Sequence, residues 1–309
     1  MANAPFKTDQ IRTAIAIAYT NAEYIADLAL PRVQVGAREY KYTVFNKKDR
    51  FTANDASVGR KGKVNEVEMG ADEASGMIRD YGLEDPIPQS DIDAAANTDY
   101  DPLSDSTEWL TDQIMLGREI RVANIVHAKA NYENKDTISG SDQWTHADSD
   151  PIEQITDALE SCIVRPNTMT LSGASALALR RNAAVVKAFN GTLGDSGLVP
   201  LSFLRELLEL ERILIGRAKH NTANKGQDMS LADIWKNHCA LTYLNPQARP
   251  NRGLTFGWTA QFKTRVSGNR IDPDIGLEGG TRVRVGEMVE EKVVSSDAGY
   301  FLENVIAAS

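Results

Sequence analysis

The spacing of apolar residues changes character several times along the chain. Over TDQIRTAIAIAYTNAEYIADL, residues 8–28, Ile11, Ile15, Ala18 and Ala22 recur at helical intervals, and Pro31 ends the run. VQVGAREYKYTVF follows, with the β-branched and aromatic content of a strand. Then the pattern lapses. Residues 46–76, NKKDRFTANDASVGRKGKVNEVEMGADEASG, hold only Phe51, Val58, Val64, Val67 and Met69 as large apolar side chains. Such a stretch cannot build a core of its own. It also exceeds the roughly 12–15 residues that compact domains leave without structure. Strand-like text returns in MIRDYGLEDPIP, so the stretch reads as an extended arm rather than as disorder.

Residues 79–103 are turn-rich, with Gly82, Pro86, Pro88 and Pro102 set among acidic residues. DSTEWLTDQIMLGREIRVANIVHAKANYE comes next. Asp105 with Glu108 three positions on is a helix-start signal, with acids at the positive end of the dipole. Trp109, Leu116, Ile120, Ala123 and Ala130 recur at helical spacing and predict a helix from about Thr107 to Asn131. It would be roughly 37 Å long at 1.5 Å per residue. Gly117 costs it about 1 kcal/mol relative to alanine. A helix well beyond the average of about 11–12 residues acts as a strut.

After the polar SGSDQWTHADSDP, helices and strands alternate. PIEQITDALESCIV is an amphipathic helix with Pro151 in its first turn. RPNTMTLSG is a turn and a short buried strand, and GASALALRRNAAVVKAFN is a helix ending at Asn190–Gly191. VPLSFLRELLELERILIGRA runs from helix into strand, and HCALTYL is a strand closed by Pro246. The alternation over 151–246 argues for a small α/β unit. From residue 253, GLTFGWTAQFKTRV and TRVRVGEMVEEKVVSSDAGYFLENVI alternate with period two. Val283, Val285, Met288, Val293 and Val294 there suit a long antiparallel pair.

Composition narrows the function classes. The chain has 309 residues with 42% hydrophobic and 25% charged content, the balance of a folded protein with a real core. The net charge of −9 gives no basic footprint for nucleic acid. Two cysteines, Cys162 and Cys239, make no disulfide framework or zinc pattern, and half-buried free thiols are expected. No apolar run reaches the roughly 18–20 residues of a membrane span, and MANAPFKTDQ lacks the layout of a signal peptide.

Chemistry is sparse. Gly194-Asp195-Ser196-Gly197 resembles the nucleophile loop of trypsin-like proteases, but Leu198 and Val199 follow it and its surroundings are helical, so a turn is the expectation. His127, His146, His220 and His238 form no HxxxH or HEXXH pair, so no metal is expected. His127 reads as a packing or interface residue. The acidic pairs Glu84-Asp85 and Glu290-Glu291 read as solvated surface or intersubunit ion pairs. GLEGG at 276–280 lacks the spacing of a dinucleotide loop, and no cofactor is expected. Arg60, Lys61 and Lys63 on the polar arm are too few for a nucleic-acid site and suit contact with an acidic protein surface.

The order of parts resembles the tailed-bacteriophage major capsid proteins of the Hong Kong ninety-seven-like fold. NAEYIADLALPRVQVGAREYKY looks like that family's N-terminal arm entering its extended loop, and WLTDQIMLGREIRVANIV like its spine helix. DPIEQITDALESCIVRPNTMTLSG and RILIGRAKHNTANKGQDMSLADIWKNHCALTYLNP resemble its axial domain. SSDAGYFLENVI resembles the C-terminal strand of its peripheral domain. The resemblance spans nearly the whole chain and rests on the order and number of these phrases.

It implies an α+β fold in five stretches: an N-terminal arm at 1–35 and an extended β-hairpin loop at 36–76; a peripheral domain at 77–148 that holds the spine helix at about 105–131; an inserted α/β axial domain at 149–250; and a β-rich return to the peripheral domain at 251–309. It implies a structural protein rather than an enzyme. The protein would assemble with itself into hexamers and pentamers of an icosahedral phage head, in the host cytoplasm. That head would enclose double-stranded DNA without sequence-specific binding and would involve no membrane. Portal and decoration proteins are implied partners. Met1 lies close to the arm, which leaves no room for a cleaved scaffolding segment, so scaffolding would come from a separate protein or be dispensable. One subgroup crosslinks a lysine to an asparagine; Lys61 and Lys63 lie on the loop, but nothing in the sequence places a partner. Residues 46–76 would lie across a neighbouring subunit, with Phe51, Arg60, Lys61 and Lys63 as contacts. Two other readings compete: an encapsulin-like compartment shell, and a hydrolase using the GDSG loop. A tail or decoration subunit fits less well, since it would lack the spine helix.

Overall fold

The computed structural model describes residues 7–18, 21, 23–45, 51–67, 70–191, 194 and 196–307. The chain opens with β1 (Lys7–Thr8), α1 (Gln10–Ala18), the single turn α2 (Ala26–Ala29) and β2 (Arg32–Gln34). Strands β3 (Glu39–Phe45) and β4 (Ala71–Met77) form an antiparallel hairpin. Next come β5 (Arg79–Pro88), α3 (Gln89–Ala95) and the spine α4 (Pro102–Val126). The following unit holds β6 (Asn134–Thr137), α5 (Pro151–Glu160), β7 (Thr168–Ser172), α6 (Gly173–Arg181), α7 (Ala183–Asn190) and α8 (Leu201–Leu207). It continues with β8 (Arg212–Gly216), β9 (Lys219–Asn221), β10 (Leu231–Asp233) and β11 (Cys239–Thr242). Two long strands, β12 (Gly257–Asp272) and β13 (Gly280–Val293), precede the last, β14 (Gly299–Glu303).

Two sheets carry the architecture. In the first, the order is β1-β12-β13-β5, with β2 also pairing β12. The period-two pattern of β13 explains its role: Val283, Val285 and Val289 are fully buried, and Val283 and Val285 pack with Leu110 and Ile114 of the spine. In the second, the order is β6-β14-β11-β7-β8. Every residue of β7 and β11 is buried, because helices cover one face and the spine end with its aromatic cluster covers the other. Among the described residues no helix is long and apolar enough to cross a membrane.

The differences from the sequence reading have local causes. The spine has 25 residues but runs from Pro102 to Val126, not Thr107 to Asn131. Asp101 outcompetes Asp105 as its cap: its carboxylate accepts the Leu103 N–H at 3.0 Å, and Pro102 fills the first helical position. At the far end the Asn131 amide and Tyr132 hydroxyl donate to the Ile125 and Val126 carbonyls, both at 2.7 Å, and so take up free helix-end acceptors. Ala130 therefore falls in a short 3-10 turn, and Trp109 is exposed rather than on the packed stripe.

Residues 8–28 make two helices, not one. Ile11 is exposed and Ala16 is the inward residue of α1, while Ala22 lies outside the described residues. MIRDYGLEDPIP forms the strand that its text suggests, over Arg79–Pro88, although the same stretch is rich in turn residues. Pro86 and Pro88 are tolerated because, among the described residues, β5 is an edge strand paired only with β13. GASALALRRNAAVVKAFN breaks at Asn182, whose side chain caps α7 by accepting the Ala184 N–H at 2.9 Å. Cys162 and Cys239 are free and buried rather than half-buried. Strands β12 and β13 pair with each other, and β13 pairs with β5, in the first sheet. The last strand, β14, pairs with β11 and β6 in the second sheet.

Candidate functional site

The polar stretch has a rigid root and an unburied tip. At the root, Tyr40 and Tyr42 of β3 point inward to Val33, Val35, Ile78 and Trp258. The Tyr40 hydroxyl donates to Glu290 at 2.8 Å, and Lys292 donates to the Ser75 carbonyl at 3.1 Å. Arg38 donates both to Asp80 Oδ1 at 2.8 Å and to Oδ2 at 2.9 Å. The Thr43 N–H reaches the Pro250 carbonyl at 2.8 Å. The described pairing runs as far as Phe45 and Ala71, and residues 52–67 form neither strand nor helix.

The tip is closed on itself by polar contacts. The Asn65 amide donates to the Asp55 carbonyl at 2.8 Å, and the Gly62 N–H to the Gly59 carbonyl at 2.7 Å. Its apolar residues find no cover: Phe51, Val58, Val64 and Val67 are all exposed, Val64 at 70%. Arg60 and Lys61 sit in the tip turn, and Lys63 forms an exposed pair with Glu66 at 2.8 Å. An exposed pair of this kind contributes little. The four residues read from the sequence thus share one exposed segment, while Met69 lies outside the described residues.

Further exposed apolar side chains, not singled out from the sequence, sit at other extremities. They include Ile271 at the end of β12, Leu277 in the turn before β13, and Met229 and Leu231 on the β9–β10 hairpin. A period-two pattern can mark which face of a strand is apolar. It carries no signal for residues at a turn.

A buried ion network fastens the N-terminal arm to the body. The Arg118 guanidinium, 2% exposed, contacts Asp27 and donates to Thr259 at 2.9 Å. Arg32 bridges Asp27 at 2.7 Å and the wholly buried Glu287 at 3.1 Å. Arg121 holds Glu291 at 2.9 Å and stacks 3.7 Å above the Tyr81 ring. Arm, spine and β13 are thereby linked through paired charges, since an unpaired buried charge costs several kcal/mol. Glu119 beside them accepts the Ile25 and Ala26 N–H groups at 3.0 and 2.8 Å and the Trp235 indole N–H at 2.7 Å. Burial pushes its carboxyl above the ordinary value, against the pull of these donors. Helical periodicity gave no hint of either residue, because charged side chains on a long helix read as solvated.

Among the described residues no group of three or more metal-ligating side chains comes together. Gly194 and Gly197 adopt positive φ, Ser196 is exposed, and Asp195 lies outside the described residues. Burial pushes the Cys162 thiol up to about 11 and Cys239 upward as well, which disfavours the reactive thiolate. The structure does unite two histidines far apart in sequence. His127 closes the spine 5.7 Å from His238, between Trp235 and Phe301.

No family model matches the chain. It is 49% identical over 310 residues to the major capsid protein of Pseudomonas phage JBD67, covering 100% of both chains. It is 26% identical over 308 residues to the major capsid protein of Burkholderia phage BcepMu, covering 96% of each. Among solved structures, a phage-related protein from Bordetella bronchiseptica superimposes with a TM-score of 0.74 at 22% identity, over 98% of this chain and 99% of that one. The capsid of cyanophage P-SCSP1u superimposes with a TM-score of 0.59 at 13% identity, over 98% of this chain and 91% of that one. The fold is that of phage capsid subunits, and at this identity over the full length the chain belongs to the phage major capsid proteins.

Proposed function

We propose that the subunit builds the icosahedral head of a phage by laying its exposed hairpin tip across a neighbouring subunit. Hexamers and pentamers are the capsomers of this reading. The observation that carries it is the contrast within one hairpin: a root locked into the core by Tyr40, Tyr42 and Trp258, and a tip over 51–67 whose apolar side chains have no cover. A neighbour would supply that cover through Phe51, Val58 and Val64, while Arg60, Lys61 and Lys63 meet acidic surface. Obligate assemblies of this kind bury more than the standard roughly 1,600 Å² per contact. The net charge of −9 supports an enclosure that does not trap DNA by counterion release. Scaffolding, portal and decoration proteins complete the expected set of partners.

The role is structural, and Ser196→Ala should leave it unchanged. Deleting residues 52–66 separates fold from assembly. Size-exclusion chromatography with light scattering, followed by negative-stain microscopy, should show shells for the intact chain and folded but unassembled subunits for the deletion. Shells of ordinary size and yield from the deleted chain would overturn the reading. DNA inside the shells, rather than a cargo enzyme, distinguishes a phage head from an encapsulin compartment.

A further inference from the structure

We infer that Gly76, Tyr40 and Glu290 form a clamp that sets the direction in which the hairpin arm leaves the subunit, and that a side chain at position 76 would redirect the arm. The inference rests on the reading that the tip docks on a neighbour. Gly76 is opposite Tyr40 in the β3–β4 pairing. A Cβ built on Gly76 would lie 2.4 Å from Tyr40 Cζ and 2.5 Å from both the Tyr40 hydroxyl and Glu290 Oε2. Real contacts are never so short, so something must move.

Neither neighbour is free to yield. The Tyr40 ring is 7% exposed and packed in the cluster that holds Tyr42 and Trp258. Its hydroxyl is bound to Glu290 Oε2. The other Glu290 oxygen lies 3.6 Å from the Lys292 ammonium, which itself holds the Ser75 carbonyl next to Gly76. The side chains around position 76 are thus tied to β13 and to β4 in a closed loop. The remaining motion is that of β4, which pivots the hairpin about its root. A small rotation there is magnified at the tip, because the seven paired residues of each strand act as a lever of roughly 23 Å at about 3.3 Å per residue. The backbone at Gly76 does not have positive φ, so alanine there meets the clash and no conformational strain.

Gly76→Ala, Tyr40→Phe and the control Gly36→Ala test this in the full chain. Nothing lies within 4 Å of a Cβ at Gly36, which precedes β3 and lies outside the docking tip. Two readouts are taken: the size distribution of shells by electron microscopy, and hydrogen exchange in unassembled subunits. Gly36→Ala should match the unsubstituted chain in both. Gly76→Ala should exchange at Tyr42 and Thr43 about tenfold faster or more, with Leu171 and Val283 unchanged, and should give shells of altered diameter or none. Tyr40→Phe adds no volume and removes the hydroxyl bond, so it should accelerate the same amides to a lesser degree. If Gly76→Ala loosens Leu171 and Val283 equally, the effect is general destabilisation and the clamp is refuted. Unchanged hairpin exchange and unchanged shells would refute it too. If the unsubstituted chain forms no shells, the docking reading fails, and hydrogen exchange still decides whether the clamp exists.

Discussion

His127→Phe should remove an acid sensitivity built into the joint between the spine and the second sheet. His127 ends the spine and is 6% exposed, and among the described residues neither ring nitrogen makes a hydrogen bond of good geometry. Its surroundings are Trp235, Phe301 and His238, with the cationic Lys236 near. Burial, more than the neighbouring His238, pushes its pKa from 6.5 down to about 3. The unfolded chain therefore binds more protons than the folded one between these values, and stability falls as pH drops through that window. With pKa values of 6.5 and about 3, the full loss is about 5 kcal/mol, reached only well below pH 3. About 2 kcal/mol of it is gone at pH 5. Phenylalanine fits the aromatic site, sacrifices no hydrogen bond and cannot titrate. Urea unfolding of unassembled subunits at pH 7.5 and pH 5 measures the effect. The drop in stability between the two should be about 2 kcal/mol smaller in His127→Phe than in the unsubstituted chain. An equal drop in both would refute the argument, because it would place the acid sensitivity in other groups.

Other outcomes follow from single contacts. Glu119→Ala orphans the Ile25, Ala26 and Trp235 donors and uncouples the arm from the spine; chemical unfolding followed by tryptophan fluorescence should show a loss of about 3–5 kcal/mol. Gly216→Ala would put a methyl group 2.0 Å from the buried Trp235 ring, and a thermal melt should show it as a cost of about 1–3 kcal/mol or more. Asp150→Ala removes the cap that accepts the Ile152 and Glu153 N–H groups at 3.0 and 3.1 Å, at about 1 kcal/mol in urea unfolding.

Much of this protein follows from local sequence alone. The spine exists because 25 helix-compatible residues follow a cap with no proline after the first turn, and its existence and length were legible. Its true start was not, because Asp101 and Asp105 are equally good caps in one dimension and only Pro102 and Ser104 favour the first. The unburied arm was legible for the opposite reason: a long stretch lacking apolar residues cannot be buried in any fold of its own chain. Tertiary structure alone decided which strands became neighbours. It placed β14 with β11 rather than with β13, brought His127 to His238, and buried Arg118 and Glu119 on the spine. Periodicity records which face of an element is apolar. It holds no record of which element will cover that face, nor of a charged residue whose partner lies some 90 positions away, since those pairings are chosen by packing once the chain has closed on itself.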